Sequence, residues 1–294
     1  MRRAALVVGA VTAAIVTAAY AQESTEEEPP DESLPPLASV APSSAAPVVD
    51  TPMARVPGGT FRMGSQGPRS QPNETPLHLV TVSPFQLDVT EVTVGEYRAC
   101  VSRGACLAPA RTSTQCTYDR EGELPVNCVT FAEADRFCRA AGKRLPTETE
   151  WELAARGTGV EHAYPWGDDA PSCERAISMR GEKTAEGCSM DGPTPVDRRR
   201  GRSPYGISDL AGNLEEWVSD FYDDRYPESS GGALVDPRGP LVGTAHVLRG
   251  GGWQSPRSGL RTTARSWASA IERGANVGFR CARSGGESEG PTRR

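Results

Sequence analysis

Eight cysteines and three histidines are the side chains of this chain best suited to nucleophilic, redox or metal chemistry. The cysteines are Cys100, Cys106, Cys116, Cys128, Cys138, Cys173, Cys188 and Cys281; the histidines are His78, His162 and His246. No two cysteines form a C-x-x-C pair, the spacing typical of thiolate zinc sites and dithiol redox motifs. A 2-His-1-carboxylate iron site needs two convergent imidazoles. Here His78 opens a strand, His162 sits in a glycine-flanked turn and His246 directly precedes a strand, so the three contexts do not converge. No serine stands in the strand–turn–helix elbow of a hydrolase nucleophile. Catalysis by the familiar side-chain constellations is therefore not expected.

The compartment decides what the cysteines do instead. Met1-Arg2-Arg3 is a short basic start, Ala4 to Ala19 is apolar, and Ala19-Tyr20-Ala21 has small residues at both cleavage-defining positions. Residues 1–21 read as a signal peptide cleaved after Ala21. The expected location is secreted or periplasmic, with no membrane span once the signal is removed. An even number of cysteines in an oxidising compartment predicts four disulfides.

The elements that must position these groups are short. Residues 22–52 are acidic and then rich in Pro, Ala and Ser, too poor in large apolar residues to offset ordering entropy; they read as a tether. Residues 284–294 read as a tail, leaving 53–283 as one domain. Gly and Pro are plentiful, 31 and 25 of 294 residues, which favours loops over a helical bundle. Strands are predicted at Phe61–Gly64 and Leu79–Val82, and a helix at Thr93–Val101. Helices at Thr130–Ala141 and Thr147–Arg156 carry capping boxes, Thr130 with Glu133 and Thr147 with Glu150, and Gly142 stops the first of them. The pattern is α+β with low regular content. A net charge of −6 leaves no basic field for phosphates, and Arg198-Arg199-Arg200-Gly201-Arg202 reads as a solvated loop; a nucleic-acid partner is not expected.

Several blocks in order spell a family. Val56-Pro57-Gly58-Gly59-Thr60-Phe61-Arg62-Met63-Gly64, Glu91-Val92-Thr93 with Tyr97, and Gly142-Lys143-Arg144-Leu145-Pro146-Thr147-Glu148 with Glu150-Trp151-Glu152 come first. Tyr164-Pro165-Trp166-Gly167, Asp209-Leu210-Ala211-Gly212-Asn213 with Glu216-Trp217, Arg249-Gly250-Gly251 with Trp253, and Gly278-Phe279-Arg280-Cys281 follow. Together they resemble the sulfatase-modifying-factor (formylglycine-generating-enzyme-like) family over about residues 53–283. The resemblance implies a fold related to C-type lectins, with short strands and two or three short helices. Some members oxidise a cysteine of a sulfatase precursor to formylglycine, using O₂ and a copper ion held by two cysteine thiolates. Others act in siderophore or thiohistidine biosynthesis, so the fold alone assigns no activity.

In the oxidising members both copper-binding cysteines follow the Gly-Gly motif. Here those positions fall on Ser255 and about Leu260, and no cysteine lies between Gly252 and Val277. A serine alcohol binds copper(I) poorly and cannot exchange with a thiol. No copper and no catalytic residues are expected. Gly252 stands where the enzymes carry serine, and Glu215 where many members carry an aromatic residue. The resemblance also implies a structural calcium held by the Asp209 and Glu216 carboxylates and the Gly212 and Leu214 carbonyls, hard oxygen donors suited to that ion. A second calcium loop is degraded at Arg175-Ala176-Ile177-Ser178, and a Cys173–Cys188 disulfide is expected to brace it. Cys138 and Cys281 match a family disulfide. Cys100, Cys106, Cys116 and Cys128 leave three connectivities open, of which the nested Cys100–Cys128 with Cys106–Cys116 is favoured. The expected function is a non-catalytic module binding an unidentified protein or small-molecule ligand outside the cytoplasm. Its cleft would be lined by Trp253, Ser255, Arg257, Arg261, Arg265 and Trp267 and would suit an anionic or aromatic guest. The alternatives are a formylglycine-type oxidoreductase and a calcium-dependent carbohydrate-binding module.

Overall fold

Among the described residues, ten short strands and three helices, in the order β1 (Met53–Val56), β2 (Gly59–Met63), β3 (His78–Val82), β4 (Phe85–Asp88), α1 (Val94–Ser102), α2 (Phe131–Ala140), α3 (Glu148–Arg156), β5 (Glu215–Phe221), β6 (Leu234–Val235), β7 (Ala245–Arg249), β8 (Arg265–Ser269), β9 (Val277–Gly278) and β10 (Ala282–Ser284), make an α+β fold. The computed structural model describes residues 51–159, 161–179, 188, 191–226 and 234–285. The signal and nearly all of the tether lie outside the described residues. No helix among the described residues is long and apolar enough to cross a membrane.

All three helices open on the same device. The hydroxyls of Thr93, Thr130 and Thr147 accept the backbone N–H groups of Glu96, Glu133 and Glu150, and each glutamate accepts its threonine's N–H in return. Two otherwise orphaned donors are satisfied at each helix start. The box of α1 was legible as Thr93-x-x-Glu96, although apolar spacing alone pointed to that helix. Gly142, just past α2, has a φ of 67°, which a Cβ would strain.

Three small sheets surround these helices: β1-β4-β10, β2-β3-β6 and β8-β7-β5-β9. The first joins the two ends of the domain, since β1 and β10 both flank β4 antiparallel. The domain is accordingly wider than 53–283. Thr51 is buried and donates its hydroxyl to Asp88 at 2.8 Å, Ser284 pairs in β10, and Gly285 N–H bonds Pro84. Burial of a hydrogen-bonded threonine overrides the polar composition that suggested a tether. One core cluster gathers α1, α2 and β5 around Tyr97, Phe137, Trp217 and Phe279. A second packs Trp151, Leu153 and Ala154 of α3 against Phe61, Val80 and Val247.

The disulfides are Cys100–Cys106, Cys116–Cys128, Cys138–Cys281 and Cys173–Cys188. The last two pair as expected, whereas the nested arrangement is replaced by two local bridges. The reason is local hydrogen bonding. The chain turns back at the end of α1, where the N–H groups of Ala105 and Cys106 both donate to the Cys100 carbonyl. Thr117 and Asn127 then clamp each other, N–H to side chain in both directions, and set Cys116 beside Cys128.

Candidate functional site

Arg249, Gly250 and Gly251 carry β7 into the segment where the family's copper cysteines would lie. Gly250 adopts φ 90°, and a Cβ there would meet the Trp151 ring at 3.1 Å. Only glycine lets the backbone cross that indole. The following loop buries Ser255, whose Oγ accepts the Gly252 N–H at 3.0 Å and is approached by Asn276 Nδ2 at 3.4 Å. Leu260 closes a one-turn 3₁₀ helix, Arg257–Leu260, fully buried against Ala176 and Ala211. Neither position offers copper(I) a soft donor. All eight cysteines are in the four disulfides. The donor set does not fit a copper centre.

The residues expected to line one cleft fall into separate neighbourhoods. Trp253 is buried beside Ile177 and Leu214, donating its indole N–H to Ala275 at 3.1 Å. Trp267 is exposed on β8 and leans on Tyr222, 6.0 Å between ring centroids. Arg261 is paired with Glu74, and Arg265 chelates Glu148 through Nε at 2.7 Å and Nη2 at 3.0 Å. Arg249 bridges Glu148 and Glu152, and Arg156 completes the belt on Glu152 at 2.7 Å. Burial opposes ionisation of Glu148, but Arg265 and Arg249 outweigh it and hold that carboxyl below its ordinary range. Two of the three cleft arginines, Arg261 and Arg265, are thus neutralised inside the fold. Sequence reasoning missed the carboxylates of this belt, although Glu148 and Glu152 stand in Thr147-Glu-Thr-Glu-Trp-Glu, four residues apart on one helix face.

Asp220, on β5 behind this belt, was not singled out by the sequence. Its Oδ2 accepts the N–H of Glu148 at 2.9 Å and the Ser219 hydroxyl at 3.0 Å. Burial, followed by the nearby Glu148 and Glu150 charges, pushes its carboxyl up to about 7. A carboxyl raised in the folded state stabilises fully below its unfolded value, near 4, and that contribution is lost as the pH rises through about 7. Asp220→Asn keeps the acceptor and removes the charge. The variant should match the native protein at pH 4 and exceed it by roughly 1–4 kcal/mol at pH 8. Parallel urea-denaturation curves across that window would contradict the assignment.

The turn between Asp209 and Glu216 is also charge-rich. Glu91, Asp209 and Glu216 are all buried, and Arg280 is the cation facing them. Arg280 binds Glu216 with both arms, at 2.8 and 2.7 Å. Asp209 receives the Asp197 N–H on Oδ2. Glu91 accepts the N–H of Leu214 and the Asn213 amide. Burial and then the Asp209 and Glu216 charges push the Glu91 carboxyl well above its usual range. The expected calcium ion would meet oxygen donors only, with more buried carboxylate than arginine around it. Glu216 would share its carboxylate between that ion and Arg280. No group of three or more His, Cys, Asp or Glu side chains placed for a metal is found among the described residues.

The histidines stand in three unrelated settings. His78 Nδ1 lies 2.9 Å from the Pro76 carbonyl, and His162 Nδ1 lies 3.3 Å from Asp168. His246 is stacked between Phe131 and Phe221, and burial lowers its pKa.

A model of the sulfatase-modifying factor enzyme 1-like domain matches residues 40–285. The chain belongs to this family. Formylglycine-generating enzyme of Streptomyces coelicolor is 32% identical over 305 residues, spanning 84% of this chain and 96% of that enzyme. Inactive C-alpha-formylglycine-generating enzyme 2 of Bos taurus is 29% identical, spanning 81% and 90%. Among solved structures, PvdO from Pseudomonas aeruginosa matches with a TM-score of 0.64 at 28% identity, over 79% of this chain and 94% of that one. Treponema denticola variable protein 1, with a TM-score of 0.60 at 23% identity, shares the fold. Proteins named as active and as inactive thus resemble this sulfatase-modifying-factor domain about equally, so the residues at the centre must decide between them.

Proposed function

We propose that the protein is a non-catalytic sulfatase-modifying-factor domain that works outside the cytoplasm as a protein- or ligand-binding module. The observation that carries the proposal is the absence of any available thiol. Every cysteine is in a disulfide, and Ser255 and Leu260 stand at the positions that resemblance assigns to the copper ligands. Without a thiolate the chain has no thiol sulfur to hold copper(I) at these positions and nothing to exchange with a substrate thiol. Four disulfides and the leader-like residues 1–21 support an extracytoplasmic location. A calcium ion at Asp209, Gly212, Leu214 and Glu216 belongs to the same reading, as a brace for the turn before β5.

One preparation tests these points together. The purified mature protein, given copper, O₂ and a Cys-x-Pro-x-Arg peptide, should yield no aldehyde by mass spectrometry, and its metal content should be calcium without copper or iron. Catalytic aldehyde formation, or a redox metal near one per chain, would restore the oxidoreductase reading.

A further inference from the structure

Gly252, Glu215 and Ser255 each depart from the enzymes' pattern, and the structure joins all three through one side chain. Asn276 stands over Gly252 so closely that a Cβ at residue 252 would lie 2.4 Å from its Oδ1. A serine there would expel the amide. Asn276 Oδ1 accepts the Gln254 N–H at 2.9 Å, which fixes the orientation of the amide. Its Nδ2 then reaches Glu215 Oε2 at 3.1 Å and Ser255 Oγ at 3.4 Å. The backbone holds the pair in place as well, since Glu215 N–H donates to the Asn276 carbonyl at 2.8 Å.

Glu215 lacks the arginine that several carboxylates around it have. Glu148, Glu150, Glu152 and Glu216 each face an arginine. Glu215 has only the Asn276 amide and the Ser266 side chain, and no ion pair to it is found among the described residues. The residue is half-buried, as are Ser266 and Asn276, while Gln254 is exposed, so solvent reaches the group. A carboxylate withdrawn from water without a counter-ion is a standing cost that a cationic guest would offset. Two of the three arginines that suggested an anionic guest, Arg261 and Arg265, are paired with Glu74 and Glu148.

We infer that the remodelled centre takes an organic cation, an ammonium or guanidinium group, which pairs with Glu215 beside Ser255, Gln254 and Asn276. The inference rests on the binding-module reading and names its ligand class. A bound ammonium would donate to the Glu215 carboxylate, with Asn276 holding that carboxylate in place. A neutral isostere fills the same space but leaves the carboxylate unpaired, and selectivity arises from that difference.

The test uses the mature protein with two probes that differ by the terminal ammonium group: N-acetyl-lysine N-methylamide and N-acetyl-norleucine N-methylamide. Binding is read from the indole N–H of Trp253 and the amide of Ser255 in ¹⁵N-resolved NMR titrations, with no copper present. The lysine probe should bind about tenfold more tightly than the norleucine probe. Glu215→Gln, which keeps an acceptor for Asn276, should bring that ratio to about one without lowering the thermal midpoint. Equal binding of the two probes by the native protein, or silence toward both at tens of millimolar, would overturn the inference without any variant. Selectivity that survives Glu215→Gln would do the same. None of these results bears on the aldehyde assay, so the two readings fail separately.

Discussion

Replacing Arg280 by methionine will destabilise the protein by about 3–5 kcal/mol, the usual cost of leaving a buried charge without its partner. Arg280 and Glu216 are both fully buried. The guanidinium does more than neutralise Glu216: Nη1 donates to the Asp88 carbonyl at 3.1 Å and Nη2 to the Ser208 carbonyl at 2.9 Å. Burial alone would disfavour its charge, but Glu216, Glu91 and Asp209 together reverse that and hold it more firmly protonated. Methionine fills the volume of the stem yet leaves Glu216, Glu91 and Asp209 without an arginine. At roughly 2–4 °C per kcal/mol for a domain of this size, the thermal midpoint should fall by about 6–20 °C. Glu216→Gln in the same chain should recover part of the loss, because it removes a charge and keeps an acceptor for the Trp151 indole, now 2.8 Å from Glu216. Additive losses in the double variant, or a cost below about 1 kcal/mol for the single one, would show that the pair is not the charge centre of this turn.

The sequence carried the helices and the family but little of the electrostatics. Thr130-x-x-Glu133 and Thr147-x-x-Glu150 placed two helices to within a residue because a capping box is written in four consecutive positions. The Cys138–Cys281 bridge also emerged correctly, from the resemblance rather than from spacing. The pairing of Cys100 with Cys106 and of Cys116 with Cys128 did not, since it depends on where the Cys100 carbonyl points after α1 and on the Thr117–Asn127 clamp. Arg261 and Arg265 read as free cleft cations because their partners are remote in the chain. Glu74 lies 187 residues before Arg261, and Glu148 lies 117 before Arg265. Asn276 escaped notice for the same reason. Its amide matters only because Gly252 and Glu215, 24 and 61 residues away, are folded against it. Absence of cysteine needs no folding to be seen, whereas what fills the vacated centre does.

The disulfides rank themselves by the length of chain they close. Cys138, on α2, is tied to Cys281, next to β10, across 143 residues, whereas Cys100–Cys106 spans 6. In the chain-entropy account the cross-link acts on the unfolded ensemble, and its contribution grows with the logarithm of the loop. The long bridge should then contribute about 5 kcal/mol and the short one about 2 kcal/mol. Both bridges are buried in the same core cluster, so the comparison holds packing roughly constant. Cys138→Ala with Cys281→Ala should therefore lose more than twice the stability of Cys100→Ala with Cys106→Ala. Urea denaturation of the two double variants, side by side and without reductant, measures the ratio. The long bridge also holds the last strand over β4, because Cys281 N–H donates to Asp88 Oδ2 and the Cys281 carbonyl accepts the Asp88 N–H. Part of the loss should appear as fraying of β1, β4 and β10, detectable as faster amide exchange at Leu87 and Asp88 than in the β5–β7 pair. Equal losses from the two double variants would mean that native contacts, not loop closure, set the contribution of these bridges.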